Sequence, residues 1–152
     1  METLGKIKDR LIKFGEFNTS TNWLEEFPNN NWCLIILADE KNKNYFEEII
    51  GKSIDRNVAY ICAVGKQYEL IHDLADEEIV FREVDIENNY LPKHLIITVG
   101  EKDFENGIWF GIYSTLNSES EINEIIIIDV TKKYRKDTFE LIEKFKNGYF
   151  PA

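Results

Sequence analysis

The sequence has few of the residues from which metal centres and disulfide frameworks are built. It contains two cysteines and two histidines among its 152 residues. Cys33 and Cys62 each lie inside an apolar run, where a free thiol behaves as a small hydrophobic side chain. With only His72 and His94 beside them, no ligand set with the spacing of a zinc site can be assembled. We therefore expect no metal and no cofactor, and the free thiols favour a reducing, cytoplasmic location.

Long hydrophobic runs and positive charge are also scarce. No apolar run approaches the about 20 residues that a membrane-spanning helix needs, and the charged N-terminal residues do not resemble a signal peptide. Lys and Arg number 18 against 28 Asp and Glu, which gives a formal net charge of −10. A field of this sign repels phosphate backbones and anionic lipids. The composition argues against nucleic-acid and membrane partners and favours a protein partner with a basic surface.

Established catalytic motifs are missing as well. The glycines match neither the dinucleotide pattern G-x-G-x-x-G nor the P-loop, and no G-x-S-x-G nucleophile elbow is present. A phosphoacceptor receiver domain would need an aspartate at the end of its third strand, where this chain has Val99-Gly100-Glu101. The pair His72-Asp73 lacks the further ligands of a metal phosphohydrolase, so we interpret His72 as a locally bonded helix residue. No catalytic residue is assigned.

What the chain does have, from residue 32 onward, is an alternation of strand and helix patterns. Strands are predicted at Trp32–Ala38, Val58–Val64, His94–Val99 and Glu124–Val130. Such apolar runs are typical of strands buried on both faces of a parallel sheet, and the stretches between them are long enough for helical crossovers. The pattern predicts a three-layer α/β/α sandwich with a four- to five-stranded, mostly parallel sheet, Rossmann-like or flavodoxin-like. Ile126 and Ile128 are expected to face one helical layer, and Ile125 and Ile127 the other.

Helices are predicted between and after these strands. Asn44 and Glu47 form a possible capping box for a helix that Gly51 closes. Further helices are predicted at about 68–75, 103–115 and 137–148. The pattern over residues 79–90 fits either a strand or a continued helix.

The N-terminal residues lack the alternation of strand and helix patterns that begins at residue 32. Leu4, Ile7, Leu11 and Phe14 recur at spacings of three and four, which predicts an amphipathic helix. A short helical turn is predicted at Trp23–Phe27, before a break at the proline and asparagines that follow. We therefore expect residues 1–31 to form an N-terminal helix and linker attached to a single α/β domain, 32–152.

A ligand site in an open parallel sheet lies outside the carboxyl ends of the strands. The candidate residues at those ends are Asp39, Glu40, Gly65, Lys66, Gly100 and Glu101. Adjacent carboxylates can hold Mg²⁺ or act as a general base, lysine can bind phosphate, and glycine lets the backbone approach a ligand closely. The other interpretation is that acidic residues after a strand only lead into a helix N-terminus, where the dipole favours them.

The third predicted crossover helix is unusually aromatic. Trp109, Phe110 and Tyr113 leave it little polar surface, while Gly107 and Gly111 would allow close packing against a neighbouring element. The pattern fits a deeply buried helix, or a helix whose aromatic side chains form part of an interface.

Two segments carry a resemblance to known proteins. VAYICAVGKQYELIHDLADEEIV and HLIITVGEKDFENGIWFGIYSTL, within about residues 32–130, resemble a family of small uncharacterised bacterial α/β proteins. The resemblance is carried by the strand that ends at Gly65, by Ile71-His72-Asp73 with Asp76 and Glu77, and by Trp109-Phe110, although a Trp-His pair after Thr98 is missing. It implies the fold and a bacterial origin, but no activity and no catalytic residues.

Two functions fit these observations. The first is a non-catalytic, acidic interaction protein, such as an immunity or inhibitor-type partner of a basic macromolecule, because the chain is strongly acidic and has no catalytic motif. The alternative is a small-ligand or nucleotide-binding domain, including a hydrolase, with its site at the carboxyl ends of the strands.

Overall fold

A computed structural model describes residues 1–84 and 89–151 of the chain. The strands are β1 (Glu2–Ile7), β2 (Arg10–Glu16), β3 (Trp32–Leu37), β4 (Tyr60–Val64), β5 (Ile97–Glu101) and β6 (Glu124–Asp129). The helices are α1 (Trp23–Glu26), α2 (Lys43–Asp55), α3 (Tyr68–Val84), α4 (Phe104–Tyr113) and α5 (Arg135–Lys146).

All six strands form one sheet, in the order β1-β2-β6-β3-β4-β5. The β1–β2 pair is antiparallel, and the other four neighbouring pairs are parallel. The four predicted apolar strands therefore lie side by side and parallel, as expected. The sheet is larger than the predicted four or five strands because the N-terminal residues supply two more.

The prediction of an N-terminal helix is wrong, since these residues form the hairpin β1–β2. Lys8 and Asp9 have φ values of 53° and 62°, the positive values that a two-residue hairpin turn requires. In β2, Ile12 and Phe14 are buried while Lys13 between them is partly exposed, which is the two-residue period of a strand. The strand pairs with β6 along its length, so it covers an edge of β6 that would otherwise be unpaired.

Several element ends also differ from their predicted positions. Helix α2 begins at Lys43 and runs through Gly51, so the Asn44 capping box and the Gly51 stop are wrong. The third apolar strand begins at Ile97 rather than at His94. Helix α3 continues to Val84, which answers the ambiguity at 79–84 in favour of helix, whereas residues 85–88 lie outside the described part. The turn α1 is found where it was predicted.

The core has two halves, one on each face of the sheet. Ile126 and Ile128 pack with side chains of α2 and α3, and Ile125 and Ile127 pack with side chains of α4 and α5. The predicted alternation of β6 is confirmed. Both cysteines are buried, with their Sγ atoms 3.9 Å apart, and burial raises the pKa of the Cys62 thiol well above its ordinary value.

Helix α4 lies unusually close to the sheet. A Cβ atom added at Gly107 would be 2.5 Å from Val64 Cγ1, and one added at Gly111 would be 2.4 Å from Ile35 Cδ1. No real side chain tolerates such distances, so the two glycines fix how closely the helix approaches. The interpretation of this glycine pair as a close-packing feature is confirmed.

Candidate functional site

The crevice between β3 and β6 is the point where the order of the parallel strands reverses. From β3 the chain passes through α2 to β4, whereas β6 leads to α5 on the opposite face of the sheet. In open α/β sheets this switch point is the usual place for a ligand. Asp39 follows β3 at this crevice, and Lys133 and Tyr134 follow β6.

In this structure the Asp39 carboxylate is already bound by other groups of the chain. The Tyr134 hydroxyl donates a hydrogen bond to Asp39 Oδ2 over 2.7 Å, and the Lys66 backbone N–H donates to Oδ1 over 3.0 Å. The Lys133 ammonium forms an ion pair with Oδ2. The Asp39 side chain is 6% exposed, so the group has little contact with solvent.

The electrostatics of this cluster keep each group in one protonation state near neutral pH. Burial by itself raises the pKa of Asp39, but the hydrogen bonds from Lys133, Lys66 and Tyr134 outweigh it, and the net shift is downward. The hydrogen bond to Asp39 raises the pKa of Lys133. Burial, together with the Asp39 carboxylate, raises the pKa of the Tyr134 phenol. Near neutral pH, Asp39 is therefore an ionised carboxylate bound by the Lys133 ammonium, the Tyr134 hydroxyl and the Lys66 backbone N–H. None of the side chains of Asp39, Lys133 and Tyr134 gains or loses a proton in this pH range.

A second aspartate holds the loop that carries Lys133 and Tyr134. Asp129 ends β6 and is fully buried. Its Oδ1 accepts the Lys132 N–H over 2.9 Å, and its Oδ2 accepts the Tyr134 N–H over 2.8 Å. Burial raises the pKa of this carboxyl group despite those hydrogen bonds. The Asp39 N–H donates to Thr131 Oγ1 over 2.8 Å, which completes the connection between the two loops.

The six predicted ligand residues divide into two groups. The Lys66 N–H donates to Asp39 Oδ1, and Gly65 precedes Lys66 in the turn after β4: its φ is +106°, and an added Cβ would lie 2.6 Å from the Ala38 carbonyl oxygen. Glu40 and Lys66 are exposed beside this turn. Gly100 and Glu101 lie on β5, joined to the first group by the Gly65 N–H, which donates to the Glu101 carbonyl over 3.1 Å.

A cleft of about 290 Å³ opens between β4, β5 and the first turns of α4. Its lining includes Val99, Gly100, Glu101, Asn106, Trp109 and Phe110. It thus brings two predicted ligand residues together with two predicted interface residues. The lining is mostly apolar, and its polar side chains include those of Glu101, Asn106 and Trp109.

Aromatic side chains cover the outer face of α4. Trp109 stacks on Tyr113 at a centroid distance of 5.5 Å, and Phe150 lies at 6.3 Å from Trp109. Trp109, Phe110 and Tyr113 are all partly exposed, so the helix is neither fully buried nor free on this side. The Trp109 indole N–H is shielded from solvent and has no hydrogen-bond partner in the described part of the chain.

A polar cluster joins α3 to β5 on the other face of the sheet. The Thr98 hydroxyl donates to Asp76 Oδ1 over 2.7 Å, and His72 Nε2 lies 3.3 Å from the same hydroxyl oxygen. His72 Nδ1 is 3.5 Å from Asp76 Oδ2. His72 is therefore bonded locally, as interpreted from the sequence. Within residues 1–84 and 89–151, no cluster of three His, Cys, Asp or Glu side chains could hold a metal ion.

Sequence reasoning missed Lys133, Tyr134 and the role of Thr98. Tyr134 and Thr98 reach their partners across 95 and 22 residues of chain. The sequence did carry a signal for Asp129, which holds the loop with Lys133 and Tyr134. It is an acidic residue at the end of a run of four isoleucines, and a buried carboxylate there needs hydrogen-bond donors.

Comparison with known proteins identifies a family but no activity. No helix in the described residues is long and apolar enough to cross a membrane. No curated protein and no solved structure matches the chain. One family model does match, over residues 11–146, and its description is "Domain of unknown function (DUF7684)". The resemblance to an uncharacterised family is thereby confirmed, and the chain belongs to the DUF7684 family.

Proposed function

We propose that this protein is a non-catalytic binding protein, of the immunity or inhibitor type, whose partner is a protein with a basic surface. The observation that carries the proposal is a group of acidic side chains on both sides of β5. None of them has a Lys or Arg within ion-pair distance in the described residues. The group, hereafter the β5 acidic group, comprises Glu69, Asp73, Asp76, Glu101, Asp103 and Glu105.

The arrangement of this group favours contact with a partner. Glu69, Asp73 and Asp76 follow one another at helical spacing on α3, and the Asp76–Thr98 hydrogen bond places that stripe beside β5. Glu101 ends β5, and two more acidic residues follow at the start of α4. Unpaired charge of one sign on such a surface accelerates association with a partner of opposite charge.

The state of Asp39 supports a role without catalysis. Its carboxylate accepts hydrogen bonds from Tyr134 and Lys66 and an ion pair from Lys133. A general base needs a free lone pair and a pKa near the working pH, and a metal ligand needs an accessible oxygen. Asp39 meets neither requirement in this arrangement.

The test is affinity capture from the native host with the purified protein as bait. We expect a stoichiometric, basic protein that is retained at low salt and released as the salt concentration rises. The variant Glu101→Gln/Asp103→Asn/Glu105→Gln should lose it. The matched control is Glu140→Gln/Glu143→Gln on α5, which removes exposed acidic charge from the opposite end of the sheet. Equal retention by both variants, or capture of no stoichiometric protein, counts against the proposal.

One observation favours the alternative of a small-ligand or nucleotide site, with or without hydrolysis. The parallel strands β5-β4-β3-β6 have the order 3-2-1-4 of the Rossmann type, and the cleft beside Gly100 and Glu101 opens at their carboxyl ends. A thermal-shift screen of metabolites tests this alternative. A genuine ligand of this site should stabilise the protein, and Glu101→Gln or Lys66→Ala should reduce the shift. A screen without hits removes the alternative.

A further inference from the structure

The backbone edge of β5 is the most unusual feature that the proposed function leaves unused. Strand β5 ends the sheet, and all five of its residues are partly exposed. The Ile97 N–H donates to the Ala59 carbonyl, and the Glu101 carbonyl accepts from the Gly65 N–H, so both residues bond toward β4. Backbone groups alternate in direction along a strand. The N–H and C=O groups of Thr98 and Gly100 therefore point away from β4, and they have no strand partner in the described residues.

We propose that this edge binds an extended, basic segment of the partner protein by strand addition. This inference rests on the proposed function, because it names how the basic partner would bind. Strand addition satisfies the outward backbone groups of β5, while side chains on alternate positions of the added strand reach the two faces of the sheet.

The two faces beside β5 select different side chains. On the α4 side, Val99 and Phe110 line the cleft, which has room for an apolar side chain. On the α3 side, the side chains of Asp73 and Asp76 are 72% and 50% exposed and carry negative charge. A strand in which apolar residues alternate with Lys or Arg therefore matches both faces at once.

Gly100 removes an obstacle to such a strand. Gly100 has no side chain of its own, and an added Cβ would lie 2.8 Å from Tyr68 Cδ2, so the Tyr68 ring of α3 packs against the face of the strand at this position. Natural edge strands are usually protected against pairing by lysine, proline or a bulge. Strand β5 has none of the three, and its first three residues, Ile97, Thr98 and Val99, are of types that favour strands.

The experiment uses the full-length protein and a labelled peptide, long enough to span β5, in which valine and lysine alternate. Fluorescence anisotropy should show saturable binding with one peptide per protein, weakened by salt and by Asp73→Asn/Asp76→Asn. The control Glu140→Gln/Glu143→Gln should bind as the wild type does. Hydrogen exchange should slow at the Thr98 and Gly100 amides when the peptide binds.

Two N-methylated peptides separate strand addition from simple charge attraction. Both have the sequence of the parent peptide and carry methyl groups on alternate backbone nitrogens. In one peptide the methyl groups lie along the edge that faces β5, and in the other they lie along the opposite edge. The peptide whose methyl groups face β5 should bind about tenfold more weakly or worse, because at least two backbone hydrogen bonds are lost. The other should bind like the parent peptide.

Each remaining result decides between the two proposals. If both methylated peptides bind like the parent, or if no peptide binds, strand addition is wrong, while capture of a basic partner still decides the proposed function. If the peptide binds by strand addition but no native partner is captured, the proposed function fails. If the Thr98 and Gly100 amides are already protected in the free protein and it sediments as a dimer, the edge is occupied by a second copy, and the inference is overturned.

Discussion

At the scale of single residues, Asp39 contributes more to stability than its place after a strand suggests. Its carboxylate joins the loop after β3 to the loop after β6 through Tyr134 and Lys133. Hydrogen bonds to a charged group contribute about 1.5–3 kcal/mol each when they are shielded from water. We therefore expect Asp39→Asn to lower the free energy of unfolding by about 1–3 kcal/mol in urea titrations at neutral pH.

The pH dependence of this loss follows from the pKa of Asp39. The hydrogen bonds lower the pKa of the folded carboxyl below its unfolded value of about 3.9. Its contribution is thus fully present above that unfolded value and disappears as the pH falls through the folded pKa. The stability difference between wild type and Asp39→Asn should shrink below about pH 4. Tyr134→Phe is the control: it keeps the stack on Phe104 and loses one hydrogen bond to the charged carboxylate, about 1.5 kcal/mol. A difference that stayed constant down to pH 2–3 would contradict the assigned ion pair.

Gly65 provides a second test at this scale, with a control inside the same chain. Gly65 and Gly148 both have positive φ, +106° and +89°. An alanine Cβ at Gly65 would also collide with the Ala38 carbonyl, whereas nothing lies within 4 Å at Gly148. Gly148→Ala should cost about 1 kcal/mol from backbone strain alone, and Gly65→Ala about 2–3 kcal/mol. Thermal melts of both variants measure the difference, and equal costs would show that the close approach adds nothing.

At the scale of elements, Arg10 of β2 connects the hairpin β1–β2 to the end of α4 by three hydrogen bonds. Arg10 donates to the Ile112 carbonyl over 2.8 Å, to Thr115 Oγ1 over 2.9 Å and to the Thr115 carbonyl over 2.7 Å. The Ile112 carbonyl lies in the last turn of α4, where carbonyls have no partner within the helix, and Thr115 lies just beyond the helix end. Arg10→Met should therefore destabilise the protein by about 2–3 kcal/mol.

Lys8 gives the matched control for Arg10. It also reaches the end of α4, at the Tyr113 carbonyl over 3.3 Å, but from an exposed position. Lys8→Met should change the free energy of unfolding by less than about 0.5 kcal/mol. Guanidinium titrations of both variants test the pair. A loss as large for Lys8→Met as for Arg10→Met would mean that burial is not the cause.

Elements that are determined by their own sequence pattern could be predicted, whereas elements that depend on distant strands could not. The four parallel strands and the alternating faces of β6 were predictable because the apolar run itself encodes them. The hairpin was not, since the spacing Leu4-Ile7-Leu11-Phe14 fits a helix, and the deciding factor is the distant strand β6. The same holds for the candidate site. Asp39 stood out locally, but its partner Tyr134 lies 95 residues away, and only the strand order brings the two together.

At the scale of the whole molecule, the charge distribution is uneven in a way that agrees with the proposed binding edge. Near the β1 edge, Arg135 contacts Glu2 and Glu16 and Lys146 contacts Glu143, while Asp9 in the hairpin turn has no Lys or Arg partner among the described residues. At the opposite edge, the β5 acidic group has no Lys or Arg partner among the described residues. The β5 acidic group, which holds six of the chain's 28 acidic residues, thus lies at the same edge of the sheet as the outward backbone groups of Thr98 and Gly100.

Strand β6 is the connection on which the whole sheet depends. It pairs with β2 on one side and β3 on the other, and in the described residues no other strand joins the hairpin to the remaining three strands. Ile127 lies in its middle, fully buried between Phe14 and Ile35 on the neighbouring strands. Ile127→Asp places an unpaired carboxylate there, at a cost of several kcal/mol. Because domains of this size are stable by only about 5–15 kcal/mol, circular dichroism should show a variant that is unfolded or melts far below the wild type.

Ile127→Val, which keeps the site apolar, should cost only about 1 kcal/mol and retain a single cooperative transition. An unshifted melting curve for Ile127→Asp would mean that β6 does not hold the two parts of the sheet together.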